Sequence, residues 1–358
     1  MTTFFIVAIL ALGFLVTFQI AKASEYVAVI RGQDRARKQT NKINGFLLLV
    51  FLVVGMIGVY YCNEKLKGKI LGEAASEQGV LIDRMLYITI IITFIVFVIT
   101  QVLLFWFCYK YQESDKRKAY YFPHNNKLEI IWTVIPAIAL TVLVGFGIMY
   151  WFRITGDAPK EAMVVEITGS QFKWEFRYPG KDKTLGKKYF KNINDATNPL
   201  GQLWDDPANH DDVYVSGEAM HLVVGKPVKL VIGAKDVIHD VGLVHFRMKM
   251  DAVPGTPTTM WFTPTKTSKQ MQDETENPNF VYEISCDQMC GQGHWSMRGE
   301  IIVETQEEFD SWMATKKSKY YMSFPELDPS APKTDTTKAV KIDSSTAVKP
   351  VTTTGASH

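Results

Sequence analysis

Phe172-Lys-Trp-Glu-Phe-Arg-Tyr178 places an aromatic ring at every second position, with Lys173, Glu175 and Arg177 between them. Successive side chains of a strand point to opposite faces, so this alternation reads as a strand with one buried, aromatic face. Similar short strands fit residues 162–167, 221–232, 281–286 and 300–304, separated by turn residues such as Gly225-Lys-Pro227 and Val253-Pro-Gly255. No convincing helical period interrupts them, which predicts a small antiparallel β-sandwich or barrel. Residues 179–212 are full of Lys, Asn, Asp and Gly and read as a long surface insertion between strands.

Upstream the pattern changes. Four apolar segments, near 3–23, 44–62, 84–109 and 129–153, are long enough to cross a bilayer as helices, which takes roughly 20 residues for a core of about 30 Å. Lys and Arg accumulate in cytoplasmic loops. Arg31, Arg35, Arg37, Lys38 and Lys42 follow the first segment, and Lys110, Lys116, Arg117, Lys118 and Lys127 follow the third. Both loops are therefore expected inside and everything after Phe152 outside. Ala21-Lys-Ala-Ser24 resembles a signal-peptide cleavage site, but Met1-Thr-Thr carries no positive charge. Cleavage would also leave three crossings and reverse the loop charges, so the first segment reads as a genuine span.

The 358 residues thus divide into an N-terminal helix pair (1–78), a transmembrane hairpin (79–155), an outer β domain (156–320) and a low-complexity tail (321–358). The near-neutral net charge of +2 gives no reason to expect nucleic acid as a partner, whereas membrane lipid follows from the spans.

Of the four cysteines, Cys62 and Cys108 lie in or beside apolar runs and read as small buried hydrophobes. The other two stand in Cys286-Asp-Gln-Met-Cys-Gly-Gln-Gly-His-Trp-Ser-Met297, directly after an apolar strand. No C-x-x-C-H occurs, so covalent haem attachment is not expected. Thiolate, imidazole and thioether together favour copper over a hard cation. Against that stand a disulfide, a zinc site in which Met297 has no role, and Met297 and Trp295 as plain core residues. A second imidazole is available from His239 or from His245, and spacing does not choose between them.

The sequence resembles subunit II of the haem-copper cytochrome c oxidases from about Val80 to Thr315. The resemblance rests on the cysteine stretch and on Asn126-Lys-Leu-Glu-Ile-Ile-Trp-Thr-Val-Ile-Pro136, Gly169-Ser-Gln-Phe-Lys-Trp-Glu-Phe-Arg-Tyr178, Asp236-Val-Ile-His239 and Lys249-Met-Asp-Ala-Val-Pro-Gly255. It implies a cupredoxin-like Greek-key domain carrying the binuclear copper centre CuA. Cys286 and Cys290 would bridge both coppers, His239 and Met297 would complete one, and His294 with the Gln288 carbonyl the other. It further implies electron entry from a cytochrome c and delivery to haem in subunit I, which holds haem and CuB, within a proton-translocating oxidase of the bacterial inner membrane. The domain would face the periplasm. The helix pair 1–78 would meet another oxidase subunit or a supercomplex partner.

Three positions are weighed within that resemblance. The family usually has Glu where Gln288 stands, and a neutral amide is a weaker ligand for the magnesium ion expected at the subunit I boundary. It commonly has Trp at Phe172 for electron entry; Trp174, two residues on, is the alternative entry residue or a core aromatic. Glu129 matches an acid at the mouth of a proton pathway, but an acid in a first helical turn is also favoured by the helix dipole. A copper-free quinol oxidase subunit II would lack the ligand residues present here. A thioredoxin-type membrane-anchored copper chaperone would need helix-strand alternation after its anchor. A nitrous oxide reductase shares the copper motif but leaves the four spans unexplained.

Overall fold

The computed structural model describes residues 2–67 and 72–330. Four long helices come first: α1 (Thr2–Arg31), α2 (Gln33–Leu66), α3 (Glu77–Lys110) and α4 (Asn126–Thr155). All four are apolar and long enough to span a membrane, and each outruns its apolar segment because polar flanks continue the helix. The expected first loop is not a loop. Gly32, with φ 83°, breaks the helix for one residue, and the basic residues from Arg35 onward lie on α2. Arg37 and Lys38 there form ion pairs with Glu113 and Asp115 after α3. The two basic regions therefore lie on one side, as the charge argument requires. Cys62 and Cys108 are exposed on the helix surfaces rather than buried, since an apolar helix in a bilayer directs its small hydrophobes outward as readily as inward.

The outer domain is a sandwich of two five-stranded sheets. Its strands are β1 (Met163–Ser170), β2 (Lys173–Tyr178), β3 (Val213–Ser216), β4 (Met220–Val223), β5 (Val228–Ala234), β6 (His239–Leu243), β7 (Met248–Ala252), β8 (Thr258–Phe262), β9 (Tyr282–Cys286) and β10 (Arg298–Glu304). The first sheet runs β3-β2-β1-β5-β8 and the second β4-β10-β9-β6-β7. The sheets are not wholly antiparallel, because β1 pairs with β5, and β10 with β4, in parallel. The run 221–232 forms two strands, parted where Gly225 takes φ 72°. Three short helices, missed from the sequence, lie among the strands: α5 (Ser268–Glu274), α6 (Gln306–Ala314) and α7 (Lys319–Ser323). Two of them carry a legible signal, the reciprocal caps Thr267/Gln270 and Thr305/Glu308. Residues 319–327, partly assigned to the tail, pack Tyr320 and Phe324 around Trp204 of the insertion. The tail from 331 lies outside the described residues.

Alternation in β2 buries Trp174, Phe176 and Tyr178, as expected, but Phe172 falls before the strand and is 39% exposed. The opposite face is not solvated either. Glu175 and Arg177 are buried beneath the insertion, which contributes buried Asn198, Leu200, Gln202, Asn209 and Asp212. Residues 179–212 are thus a cover for a charged sheet face more than a surface loop. Arg177 donates from Nε to Glu166 at 2.6 Å and from Nη1 to Asp212 at 2.9 Å and to the Gly186 carbonyl at 2.9 Å. Lys235 and Tyr214 meet Glu175.

The sandwich is fastened to the membrane helices at the head of α3. Ser76 caps the helix by accepting from Gly79 N and donates its hydroxyl to the Phe246 carbonyl at 2.7 Å, fully buried. Gln78 accepts from Thr263 N at 3.0 Å, and Arg247 grips Asp83 at 2.8 Å.

Burial alone would push Glu166 up, but Arg177 and Lys188 hold its carboxyl below the usual range. Burial pushes Asp212 up to about 6 despite Arg177. Folding therefore lowers the Glu166 pKa, so its contribution is present above the unfolded value of about 4.3 and is lost as pH falls through the folded one. Arg177→Leu leaves buried Asp212 without its ion pair and Glu166 paired to Lys188 alone, and is expected to cost about 3–5 kcal/mol at pH 7. The penalty should shrink as pH falls towards 4, where those carboxylates take protons. Urea midpoints of both proteins at the two pH values check this; a penalty that grows on acidification would contradict it.

Candidate metal centre

The second sheet assembles the cysteine stretch. β9 runs antiparallel to β6 with Val241 opposite Cys286, which brings His239, at the start of β6, beside the end of β9. The chain then loops through Cys290, makes a 3-10 turn at His294–Ser296 and returns as β10. Cys286 N donates to the Met297 carbonyl at 3.1 Å, closing the loop at its neck.

Six donor groups converge. The Cys286 and Cys290 sulfurs are 3.7 Å apart, with both cysteines free, so no disulfide links them. Cys286 Sγ lies 3.7 Å from His239 Nδ1 and 3.2 Å from the Gln288 carbonyl. Cys290 Sγ lies 3.7 Å from His294 Nδ1 and 3.8 Å from Met297 Sδ. Ligand atoms of His239, Cys286 and Cys290 all lie within 4.8 Å of one another. His239, both cysteines and Met297 are buried, and His294 alone among these side chains is half-exposed. The core reading of Met297 and the ligand reading are compatible, since its sulfur faces Cys290. Trp295, in contrast, is no core residue, being 79% exposed.

The surroundings fix this geometry. Asp236 Oδ1 meets His239 Nε2 at 2.8 Å, which turns Nδ1 towards Cys286. Burial would raise the Asp236 pKa, but His239 and the Gln171 and Val237 amides hold it below the usual range. Gln171 Nε2 donates to the Cys290 carbonyl. The ring of Phe172 covers Gly293, where a Cβ would lie 2.5 Å from it, and a Cβ at Gly169 would lie 2.9 Å from His239 Cδ2. Without metal, burial and then the neighbouring Cys286 push the Cys290 thiol up to about 11.

The remaining candidates fall elsewhere. His245 does not join the cluster: β6 ends at Leu243 in a 3-10 turn, which breaks the same-face extrapolation, and the ring packs edge-on against Phe280 and Tyr282. Trp174 is buried, edge-on to His239 at 6.0 Å between ring centroids. Glu129 is exposed in the first turn of α4 and accepts from Asn125 N at 3.2 Å, while Asn125 caps Leu128 N.

This is the donor set of a soft-metal site in the β domain of a membrane-anchored protein. Two thiolates with four further donors exceed the four that a structural zinc site takes, and they suit copper. Residues 72–148 match the family described as cytochrome c oxidase subunit II, transmembrane domain, and residues 163–306 its periplasmic domain. The chain is 36% identical over 234 residues to the alternative cytochrome c oxidase subunit 2 of Bradyrhizobium diazoefficiens, covering 64% of this chain and 79% of that protein. To cytochrome c oxidase subunit 2 of Thermostichus vulcanus it is 29% identical over 269 residues, covering 68% and 77%. The crystal structure of the periplasmic domain of subunit II of cytochrome oxidase from Bradyrhizobium japonicum aligns at 23% identity and TM-score 0.31, covering 45% of this chain and 98% of that one. The chain belongs to the cytochrome c oxidase subunit II family. It is accordingly a membrane protein with its β-sandwich on the outer side, and its relatives are subunits of an oxidoreductase complex. The family matches begin at residue 72, leaving α1 and α2 outside them.

If Asp236 sets the His239 ring, Asp236→Ala should weaken copper retention by roughly 10–100-fold in competition with a chelator. Undiminished retention would mean that the ring is held by packing alone.

Proposed function

We propose that this chain is the electron-entry subunit of a terminal haem-copper oxidase of a bacterial inner membrane. It takes electrons from a cytochrome c and passes them to haem in subunit I, where oxygen is reduced to water with proton translocation. The observation that supports this best is the convergence of Cys286, Cys290, His239, His294, Met297 and the Gln288 carbonyl in one largely buried cluster. Cys286 and Cys290 would be shared by two coppers, His239 and Met297 would serve one, and His294 with the Gln288 carbonyl the other. When bound, the pair accepts and releases one electron at a time.

The protein's own part is to hold still. His239 and both cysteines sit on strand ends or on a loop clamped at both sides, so donor positions differ little between oxidation states. Burial of His239, Cys290 and Met297 keeps water from the sulfurs. The Gln288 side chain is exposed, and as an amide it is a poor magnesium ligand, so a magnesium ion there would depend on ligands from subunit I. A thioredoxin-type chaperone is disfavoured by the two-sheet topology, and a copper-free quinol oxidase subunit by the complete donor set.

Metal counting on the full chain in detergent should find two coppers, with Cys290→Ser losing the pair; one zinc retained in both would contradict the reading. For Glu129 the proposal is a place at the mouth of a proton pathway beside its capping role. Glu129→Gln in the assembled oxidase should slow proton uptake. Unchanged uptake would leave capping as its whole function.

A further inference from the structure

The cluster is closed on nearly every side, and where it opens bears on how an electron arrives. His239, Cys286, Cys290 and Met297 are 0–7% exposed. His294 is the one donor side chain that reaches the surface, and the residue after it, Trp295, is 79% exposed. Among the described residues of the outer domain no large apolar side chain is more exposed. Trp174 has the opposite placement. Its ring lies against His239, but at 3% exposure no docked protein can touch it.

Trp295 does not stand alone. Met289 is 73% exposed on the same loop, Phe172 lies against Gly291 and Gly293 of that loop, and Val237 and Ile238 lead directly into His239. Exposed apolar side chains gathered on the segments that carry the donors mark a contact surface, and tryptophan is prominent among residues that dominate such contacts. The nearby charges are largely spent. Asp236 is engaged with His239, and Asp287 with Ser285 at 2.9 Å and Lys249 at 3.8 Å.

We propose that Trp295 is the electron-entry residue, the side chain on which a haem protein with an apolar haem-edge face docks, one peptide link from His294. The proposal rests on the electron-entry reading given above. The transfer balances simply: the donor's ferrous haem loses one electron and becomes ferric, the copper centre gains it, and no bond forms and no proton moves. Because this surface is apolar and its charges are paired, docking should depend only weakly on ionic strength.

The test uses the assembled, copper-loaded oxidase and two donors, a reduced soluble c-type cytochrome and a small phenylenediamine reductant. Trp295→Ala should lower kcat/KM for the cytochrome at least tenfold relative to the small donor, with copper content and the copper paramagnetic signal retained. Trp295→Phe should recover most of the loss and Trp295→Leu little. Phe190→Ala, which removes a 71% exposed ring on the insertion, is the control and should not change the ratio. An unchanged ratio in Trp295→Ala, or a loss equal for both donors, would overturn the proposal. Should Trp295→Ala shed copper, the Phe and Leu variants decide by the same ratio. Absence of copper from the wild-type chain would instead overturn the reading on which the proposal rests.

Discussion

The pairing of β9 with β6 is the constraint on which the rest depends. With Val241 opposite Cys286, a shift of one residue would turn Cys286 to the other face of the sheet and away from His239. The loop that follows is held at its neck by the Cys286 amide and the Met297 carbonyl, so both halves of the cluster inherit the sheet's rigidity. Donors as far apart in sequence as His239 and Met297 are thereby brought together by the strand pairing.

Two further features keep that register in place. The charged face of β2 is roofed by residues 179–212, and Arg177 ties the roof, through Gly186 and Asp212, to Glu166 on β1. A buried charge network is weak evidence for stability on its own, but removing one member leaves the others uncompensated, which makes the arrangement intolerant of rearrangement. At the other boundary, Ser76, Gln78 and Asp83 bind the head of α3 to the sandwich through Phe246, Thr263 and Arg247. The turn that carries Phe246 follows directly on β6, so the strand that supplies His239 is also the strand anchored to the membrane.

Much of this was legible before any coordinates. The four apolar segments, the aromatic alternation of β2 and the spacing of Cys286, Cys290, His294 and Met297 each depend on local periodicity or chemistry, which a sequence displays. What escaped depended on tertiary context. Glu175 and Arg177 alternate like a solvated face and are buried only because a segment about thirty residues long folds over them. His239 and His245 were equivalent by spacing, and a 3-10 turn after Leu243 separated them. The parallel pairs β1-β5 and β4-β10 join strands distant in sequence and leave no local mark. Trp295 was open to a core reading because an isolated aromatic in a ligand loop does not declare which way it faces.

The measurement that bears most directly on the central claim is electron paramagnetic resonance of the copper-loaded, oxidised full-length chain. The account predicts one unpaired electron shared by two equivalent copper nuclei, shown by their joint hyperfine splitting. A signal from a single copper nucleus, or two independent copper signals, would mean that Cys286 and Cys290 do not bridge a pair and would contradict the account.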